Sequence, residues 1–443
     1  MKIRNKLLTF LVLLTLLFTF ILSLSSCSLR YAGSEEILSK EELASNAAGE
    51  KNEDRSFVWD YLDEWDFPRF DRRKLKRIET LYRKYYYKEL APSYELAKAV
   101  ATDFLENSYG EIEDLTSIQK VTDAYINALV DAIGDRYSHY RTNEQYDSYQ
   151  GAMSGNTVGI GVSVQTTLVE NGLRVIRALK DSPAEKAGIL AEDVITKIDG
   201  ESVTEIGYQA ASEKIKGESG STVILTILRG EEILEISVVR GAVPELTIDY
   251  SLELSGEGVG YIRIKSFKKN TDELFEEAVD YMKEKGAKAI IYDLRGNGGG
   301  YLSSVVNMLD YIAEDGTTLV SYSHNYDDPS VANDGHSFRI PSVILCNGAS
   351  ASASELFASS MRDMGKAGQF PVTIVGTKTF GKCVMQNTYT LTDGSAITMT
   401  VAYYYPPSGE CFDGEGLVPD VEVTATAKQL GAAYDEALKL ISN

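Results

Sequence analysis

Residues 287–300 read AKAIIYDLRGNGGG. An apolar, β-branched run leads to Asp293-Leu294-Arg295 and then to Gly296-Asn297-Gly298-Gly299-Gly300. A helical pattern, YLSSVVNMLDYIAEDG (301–316), follows at once. The strand-to-helix turn is not a dinucleotide fingerprint, because Tyr301 stands where GxGxxG needs its last glycine. It is not a phosphate loop of the GxxxxGK[ST] type either. A turn of this kind can present backbone N–H groups to an oxyanion.

Outward from this stretch, β and α patterns alternate. VGYIRIKSF (259–267) reads as a strand, and TDELFEEAVDYMKEKG (271–286) as an amphipathic helix ended by glycine. SVILCN (342–347), a helix over Ser352 to Met364, VTIVGTK (372–378) and a β-rich end through Tyr405 continue the series. Such alternation predicts an α/β layer with a largely parallel sheet.

Upstream, residues 158–242 have another texture. Short strands, GIGVSVQTT (159–167), GLRVIRAL (172–179), DVITKIDG (193–200), TVILTILRG (222–230) and ILEISVVRG (233–241), alternate with glycine turns. SPAEKAG (182–188) and YQAASEKIKG (208–217) read as two helices. Before this module the pattern is helical. Leu75, Ile78, Leu81 and Tyr82 recur at three- and four-residue steps, as do Ile118, Val121, Tyr125, Leu129 and Ile133.

The chain has 443 residues, with 44 Lys plus Arg against 65 Asp plus Glu, a net charge of −21. That balance argues against nucleic acid as a partner, since phosphate binding needs a basic face. Four cysteines in so long a chain exclude a disulfide framework. Three histidines, His139, His324 and His336, with no HExxH or CxxC pair, exclude a His-rich metal site, so no metal is expected.

The first residues carry Lys2, Arg4 and Lys6, then an uncharged run from Leu7 to Leu24. Leu24-Ser25-Ser26-Cys27 resembles the lipobox of bacterial lipoproteins, which implies lipidation of Cys27; an uncleaved single span is the alternative. Either reading puts the rest of the chain outside the cytoplasmic membrane. Residues 28–55 read as a polar tether.

Two stretches hold candidate chemistry. Asn347-Gly348-Ala349-Ser350-Ala351-Ser352-Ala353-Ser354-Glu355 follows a buried strand and opens a helix. A serine there suits a nucleophile with a helix dipole behind it, though Ser-Ala runs are also common helix caps. Lys378-Thr379-Phe380-Gly381-Lys382 precedes Cys383-Val384-Met385-Gln386. No histidine lies in these strand-to-loop positions, and a lysine is the known alternative base for a serine hydrolase. A surface lysine in a glycine turn is the plainer reading of Lys382.

Together these motifs resemble the carboxyl-terminal processing proteases, serine peptidases with a Ser-Lys dyad and an embedded PDZ domain. The likeness spans about residues 130 to 425. It rests on GIGVSV and SPAEKAGILAEDVITKIDG, on DLRGNGGG, on SASASE and TFGKCVMQ, on PPSGECFDGEGLVPDV, and on GDRYSHYRTNEQYDSYQ. The resemblance implies Ser352 as nucleophile, Lys382 as base and Gln386 as the residue orienting it. The oxyanion donors would be the N–H groups of Ala353 and Gly299. Ile160, Gly161 and Val162 would receive the C-terminus of a peptide at the PDZ module, with the peptide added as a strand beside Val162-Ser163-Val164. The sequence departs from the family at Gly298, where proline is frequent, and at Cys383, where glycine is common. The segment around Lys366 to Pro371 also looks longer than usual.

The expected organisation is α/β and α+β multidomain. It comprises a lipoprotein signal (1–26), a tether (27–55), an N-terminal helical region (56–150), a PDZ domain (158–242), an α/β protease core (243–430) and a C-terminal tail (431–443). The expected function is a membrane-anchored extracytoplasmic serine endopeptidase that cuts proteins near their C-termini. It needs no cofactor. Its partners are protein or peptide substrates with free C-termini and the membrane itself, and a homo-oligomer stays open. An inactive PDZ scaffold and a ligand-binding protein are the alternatives.

Overall fold

The computed structural model describes residues 70–114, 116–165, 172–179, 181–252, 257–323 and 329–442. The signal, the tether and Cys27 therefore lie outside the described residues, as does His324. The rest forms two compact units, residues 70–79 with 90–132, and residues 80–89 with 133–442.

The first unit is helical. It draws on α1 (Arg72–Tyr85), α2 (Ser93–Asp103) and α3 (Ile118–Ile133). Leu75, Ile78, Val121, Tyr125 and Leu129 are all buried, as their spacing predicts. Ile118, 48% exposed, and half-buried Ile133 are the exceptions, because they stand at the two ends of α3. Phe70 stacks on Tyr125, and Phe104 meets the same ring edge-on, at centroid distances of 5.6 and 5.5 Å.

The helical reading of 56–150 needs correction at its end. Gly134 at φ +73° stops the helix, and β1 (His139–Arg141) then forms a strand before α4 (Asn143–Met153). Thr142 caps α4 reciprocally with Gln145.

The chain enters and leaves the PDZ-like module through a two-stranded ladder, β2 (Asn156–Gly159) with β9 (Gly241–Pro244), paired along their whole length. Its sheet contains β3 (Val162–Val164), β4 (Leu173–Ala178), β5 (Val194–Ile198), β6 (Glu201–Ser202), β7 (Thr222–Arg229) and β8 (Glu232–Val239), with helices α5 (Pro183–Lys186) and α6 (Val203–Ile215). The strand order is β3-β4-β5-β7-β8, with β6 on β5. The return strand β9 (Gly241–Pro244) pairs antiparallel with β2. The single strand read over 159–167 breaks at Gly161. Its φ is +77°, and a Cβ there would meet Ser182 Cβ at 2.5 Å. Residues 166–171 lie outside the described ones.

The core sheet is built from β10 (Ile248–Ser251), β11 (Val259–Ile264), β12 (Ala289–Asp293), β15 (Ser342–Cys346), β16 (Val372–Gly376) and β19 (Val421–Glu422). The intervening elements are α7 (Thr271–Glu284), α8 (Leu302–Ile312), β13 (Thr318–Tyr322) and β14 (Ser330–Val331). The chain continues through β15 (Ser342–Cys346), α9 (Ala353–Lys366), β16 (Val372–Gly376), β17 (Val384–Thr390), β18 (Ala396–Tyr405), β19 (Val421–Glu422) and α10 (Thr426–Ser442). The order is β10-β11-β12-β15-β16-β19, and every pair but β10·β11 is parallel. β12 and β15 are buried at every position, which explains their unbroken apolar sequences.

A second, antiparallel sheet runs β1-β18-β13-β14, with β17 also on β18. The segment expected to be a C-terminal tail is instead most of α10. Ala433 and Ala437 are fully buried against Val259, Ile291, Val343 and Val375 of the main sheet. Alanines carry little hydrophobic signal, so sequence periodicity under-reads such a face.

Candidate active site

Parallel strands deliver their C-terminal ends to one edge of the sheet, where α/β folds place their sites. β12 and β15 are neighbours in register, Asp293 opposite Leu345. The glycine loop after β12 and the serine loop after β15 therefore emerge side by side. Asn297, fully buried, ties them together. Its carbonyl accepts from Ala351 N (3.0 Å) and Ser354 Oγ (2.8 Å), and its Nδ2 donates to Ile264 O (2.9 Å). Ser350 Oγ donates to Leu294 O (2.8 Å). Of the three loop serines, Ser350 and Ser354 are thus spent on structure. Asp293 is also structural: buried, it holds Arg295 (Nη2 to Oδ2, 2.6 Å) and accepts from Tyr261 Oη (2.8 Å).

Ser352 stands apart. It sits immediately before α9 with φ +57° and ψ −115°, a conformation non-glycine residues avoid. Strain of this kind is held only where the surroundings over-determine it. Ala353 is the first residue of α9, so its N–H has no acceptor within the helix. Gly299 lies against this turn: a Cβ on it would be 2.9 Å from Ala351 O and from Ser352 Cβ. Its N–H, however, donates to Asn297 Oδ1 at 2.9 Å. The expectation of Gly299 as a free oxyanion donor is corrected to that extent. Gly299 gives the serine turn room, and its N–H is already satisfied.

Lys382 comes from the other side, just before β17. Its Nζ donates to Gln386 Oε1 at 2.7 Å. A register shift between Met385 and Gln386 re-aims the β17 side chains there. The Gln386 amide is held the right way round because its Nε2 donates to Val384 O (3.2 Å) and Thr400 Oγ1 (3.3 Å). The Tyr137 ring lies 4.4 Å from Nζ and the Arg136 guanidinium covers the same ring. Burial pushes the Lys382 ammonium down from 10.5 to about 8, and Arg136 helps, against Asp135, Asp413 and Glu355.

Glu355, named only as the end of a motif, is the centre of the arrangement. It is fully buried and accepts four hydrogen bonds. Oε1 takes Thr379 Oγ1 (2.5 Å) and Gly381 N (2.6 Å), and Oε2 takes Ser352 N and Lys382 N (both 2.9 Å). Burial holds its pKa above the usual carboxylate range, and these donors offset that only in part. A protonated carboxyl would set its own O–H against one of the four donors, so the ionised form fits the site. Tyr404 Oη donates to Lys382 O (2.6 Å), and its phenol is pushed up by burial. A carboxylate packed onto a helix start three residues after a serine was the one sequence cue for Glu355.

In the PDZ-like module Ile160 is fully buried and Val162 nearly so, and both belong to its apolar core. Ile160 O and Gly161 O accept from Ala184 N and Leu179 N (both 2.8 Å). Of the histidines, His336 lies 3.3 Å from Asp334 and tilted against the Tyr311 ring, with centroids 4.8 Å apart. Among the described residues there is no cluster of metal-ligating side chains, and no helix long and apolar enough to cross a membrane.

Residues 258–423 match the family described as Peptidase family S41, and residues 174–229 match the PDZ domain. The chain carries an S41 peptidase domain. Ser352, Lys382, Gln386 and Glu355 all fall within that stretch. The chain is also 33% identical over 316 residues to a probable CtpA-like serine protease of Staphylococcus haemolyticus (strain JCSC1435), covering 70% of this chain and 61% of that protein. It is 34% identical over 323 residues to the probable CtpA-like serine protease of Staphylococcus aureus (strain N315), covering 72% and 62%. The chain thus spans about three fifths of the length of these relatives. Among solved structures it is similar to the photosystem II D1 C-terminal processing protease, with 25% identity, a TM-score of 0.46, and 79% and 91% of the two chains covered. The chain is mixed α/β and multidomain, with a PDZ domain ahead of the core that matches the S41 family.

Proposed function

We propose that this S41 peptidase is a serine endopeptidase that cleaves proteins near their C-termini with a Ser-Lys dyad. The observation that carries the reading is Lys382. Burial brings its amine down to about 8, and the amine donates to a neutral amide, Gln386 Oε1, at 2.7 Å. A lysine so placed can be unprotonated at working pH, which a general base requires.

In this reading Ser352 Oγ attacks the scissile carbonyl and gives its proton to neutral Lys382 Nζ. The developing oxyanion lies at the start of α9, where the Ala353 N–H and the helix dipole favour negative charge. The Lys382 ammonium then protonates the leaving amine, and the acyl-enzyme is hydrolysed by a water that Lys382 deprotonates. The amide of Gln386 orients Nζ without adding charge. The Tyr137 ring, 4.4 Å from Nζ, covers one side of the amine.

The PDZ domain presents the turn Gly159-Ile160-Gly161-Val162 to the terminal carboxylate of a substrate, with the peptide adding beside Val162–Val164. Cys27 carries a lipid that holds the protein on the outer face of the cytoplasmic membrane. Peptides with free apolar C-termini, offered to the wild type and to Ser352→Ala, test the reading. Hydrolysis by the wild type alone is expected. Equal hydrolysis by Ser352→Ala overturns the nucleophile, and no loss on amidating the C-terminus overturns carboxylate capture. Fatty-acid labelling that persists in Cys27→Ser overturns the anchor.

A further inference from the structure

Cys383 and Cys411 lie far apart in sequence, yet their Sγ atoms are 2.9 Å apart. Both are free thiols, Cys383 buried and Cys411 exposed. Their backbones are registered against each other. Gly414 N donates to Gly381 O (3.0 Å), Cys383 N donates to Asp413 Oδ1 (3.1 Å), and Tyr404 N donates to Cys383 O (3.0 Å). Phe412, between Cys411 and Asp413, is buried edge-on against Tyr404. The loop bearing Cys411 is thus pinned on both sides of the thiol to the segment bearing Lys382 and Cys383. A disulfide needs its sulfurs at about 2.0 Å, and less than an ångström of approach separates these two from it.

We propose that Cys383 and Cys411 form a disulfide that staples the loop around 411–414 to the base-bearing segment. The oxidant class is a small disulfide such as oxidised glutathione. Cys411, the exposed thiol, attacks it as thiolate and releases one small thiolate, leaving a mixed disulfide on Cys411. Cys383 then loses its proton and attacks the Cys411 sulfur, releasing the second. Two protein thiols are oxidised and one small disulfide is reduced to two thiols. Burial pushes the Cys383 thiol up, so Cys383 is the resolving partner and Cys411 the point of attack. Cys346 serves as an internal control: it is buried, pushed up to about 12, and its Sγ lies 3.6 Å from Thr377 O. The functional meaning of the staple rests on the proposed role of Lys382, but the bond itself does not.

The test therefore reads the bond, not hydrolysis. The full chain is equilibrated with oxidised or reduced glutathione, alkylated, digested and mapped by mass. Expected is a cross-linked pair of peptides containing Cys383 and Cys411, absent after reduction, with Cys346 alkylated only when unfolded. Thermal unfolding of the oxidised form should come a few degrees higher than that of the reduced form. Cys411→Ser, a change at an exposed position, should abolish both the cross-link and the difference. Free thiols at both positions, or glutathione retained on Cys411 without a cross-link, would overturn the proposal. A cross-linked protein with an unchanged unfolding midpoint would overturn the staple. Hydrolysis lost in Ser352→Ala while the cross-link still forms keeps the two claims separate.

Discussion

Ser352 and Lys382 hand their backbone N–H groups to the same oxygen, Glu355 Oε2, at 2.9 Å each. One buried carboxylate therefore fixes the start of the serine-bearing helix and the lysine-bearing segment together. The other oxygen holds Thr379 and Gly381 of that segment. Two loops that are separate in sequence become one rigid object, which is what a catalytic pair needs.

Glu355→Gln tests that role. An amide offers one acceptor oxygen where the carboxylate offers two, so two of the four donors face an N–H₂ group. Stability should fall by about 2–4 kcal/mol, and kcat/KM by roughly 100-fold. Urea unfolding and kinetics below the midpoint measure both. An unchanged kcat/KM in the folded variant would remove Glu355 from the positioning role.

Gln386→Glu keeps the shape and adds a negative charge at Lys382 Nζ. Opposite charge favours the ammonium, so the Lys382 pKa should rise above about 8. The alkaline limb of the kcat/KM profile should move up by about a unit or more, with roughly tenfold less activity at neutral pH. A profile that stays in place would show that Gln386 does not face the titrating group.

Lys382→Met separates burial from chemistry. The folded pKa of Lys382, about 8, lies below the ordinary 10.5. Below about pH 8 both folded and unfolded chains hold the proton, and the folded state carries the full cost of burying it. Between about 8 and 10.5 only the unfolded chain holds it, so wild-type stability from this group rises with pH. Lys382→Met should therefore be inactive yet more stable at pH 7 by roughly 1–3 kcal/mol, part of the shift being discounted for partial exposure. The gap should narrow by pH 9.5. A variant less stable at both pH values would contradict the desolvation argument.

Gly381→Ala should displace the base segment. Gly381 has φ +90°, and a Cβ would sit 2.7 Å from Gly416 N and 2.9 Å from Glu415 N, both backbone atoms that cannot swing aside. Loss of kcat with KM nearly unchanged and far-UV circular dichroism preserved is expected. Gly348→Ala is the control, since its nearest atom would be Lys378 O at an ordinary 3.7 Å. Equal activities in the two variants would mean that the segment adapts.

The parallel sheet was legible because β12 and β15 are buried along their whole length and so must be apolar throughout. Ser352, Lys382 and Gln386 were reached through motif resemblance, and Lys382 meets Gln386 in the structure as that resemblance implies. Glu355 was quoted but given no role, because its four donors come from residues up to 27 positions away. The Tyr137 ring beside Lys382 was hidden for the same reason: β1 pairs with β18, and nothing local to GDRYSHY reveals it. α10 escaped because small alanines form its buried face. Gly299 lies against the serine turn, but its N–H is taken by Asn297, a detail set by loop geometry rather than by residue type.

The most direct test is kcat/KM against pH for the wild type and Lys382→Arg on one peptide with a free apolar C-terminus. The account predicts a wild-type rate that climbs with pH and levels off above about 8, the value to which burial brings Lys382. It predicts a Lys382→Arg variant inactive at every pH, since a guanidinium stays protonated. Substantial activity in a folded Lys382→Arg, or a wild-type profile that is flat between pH 6 and 9, would mean that Lys382 is not the base.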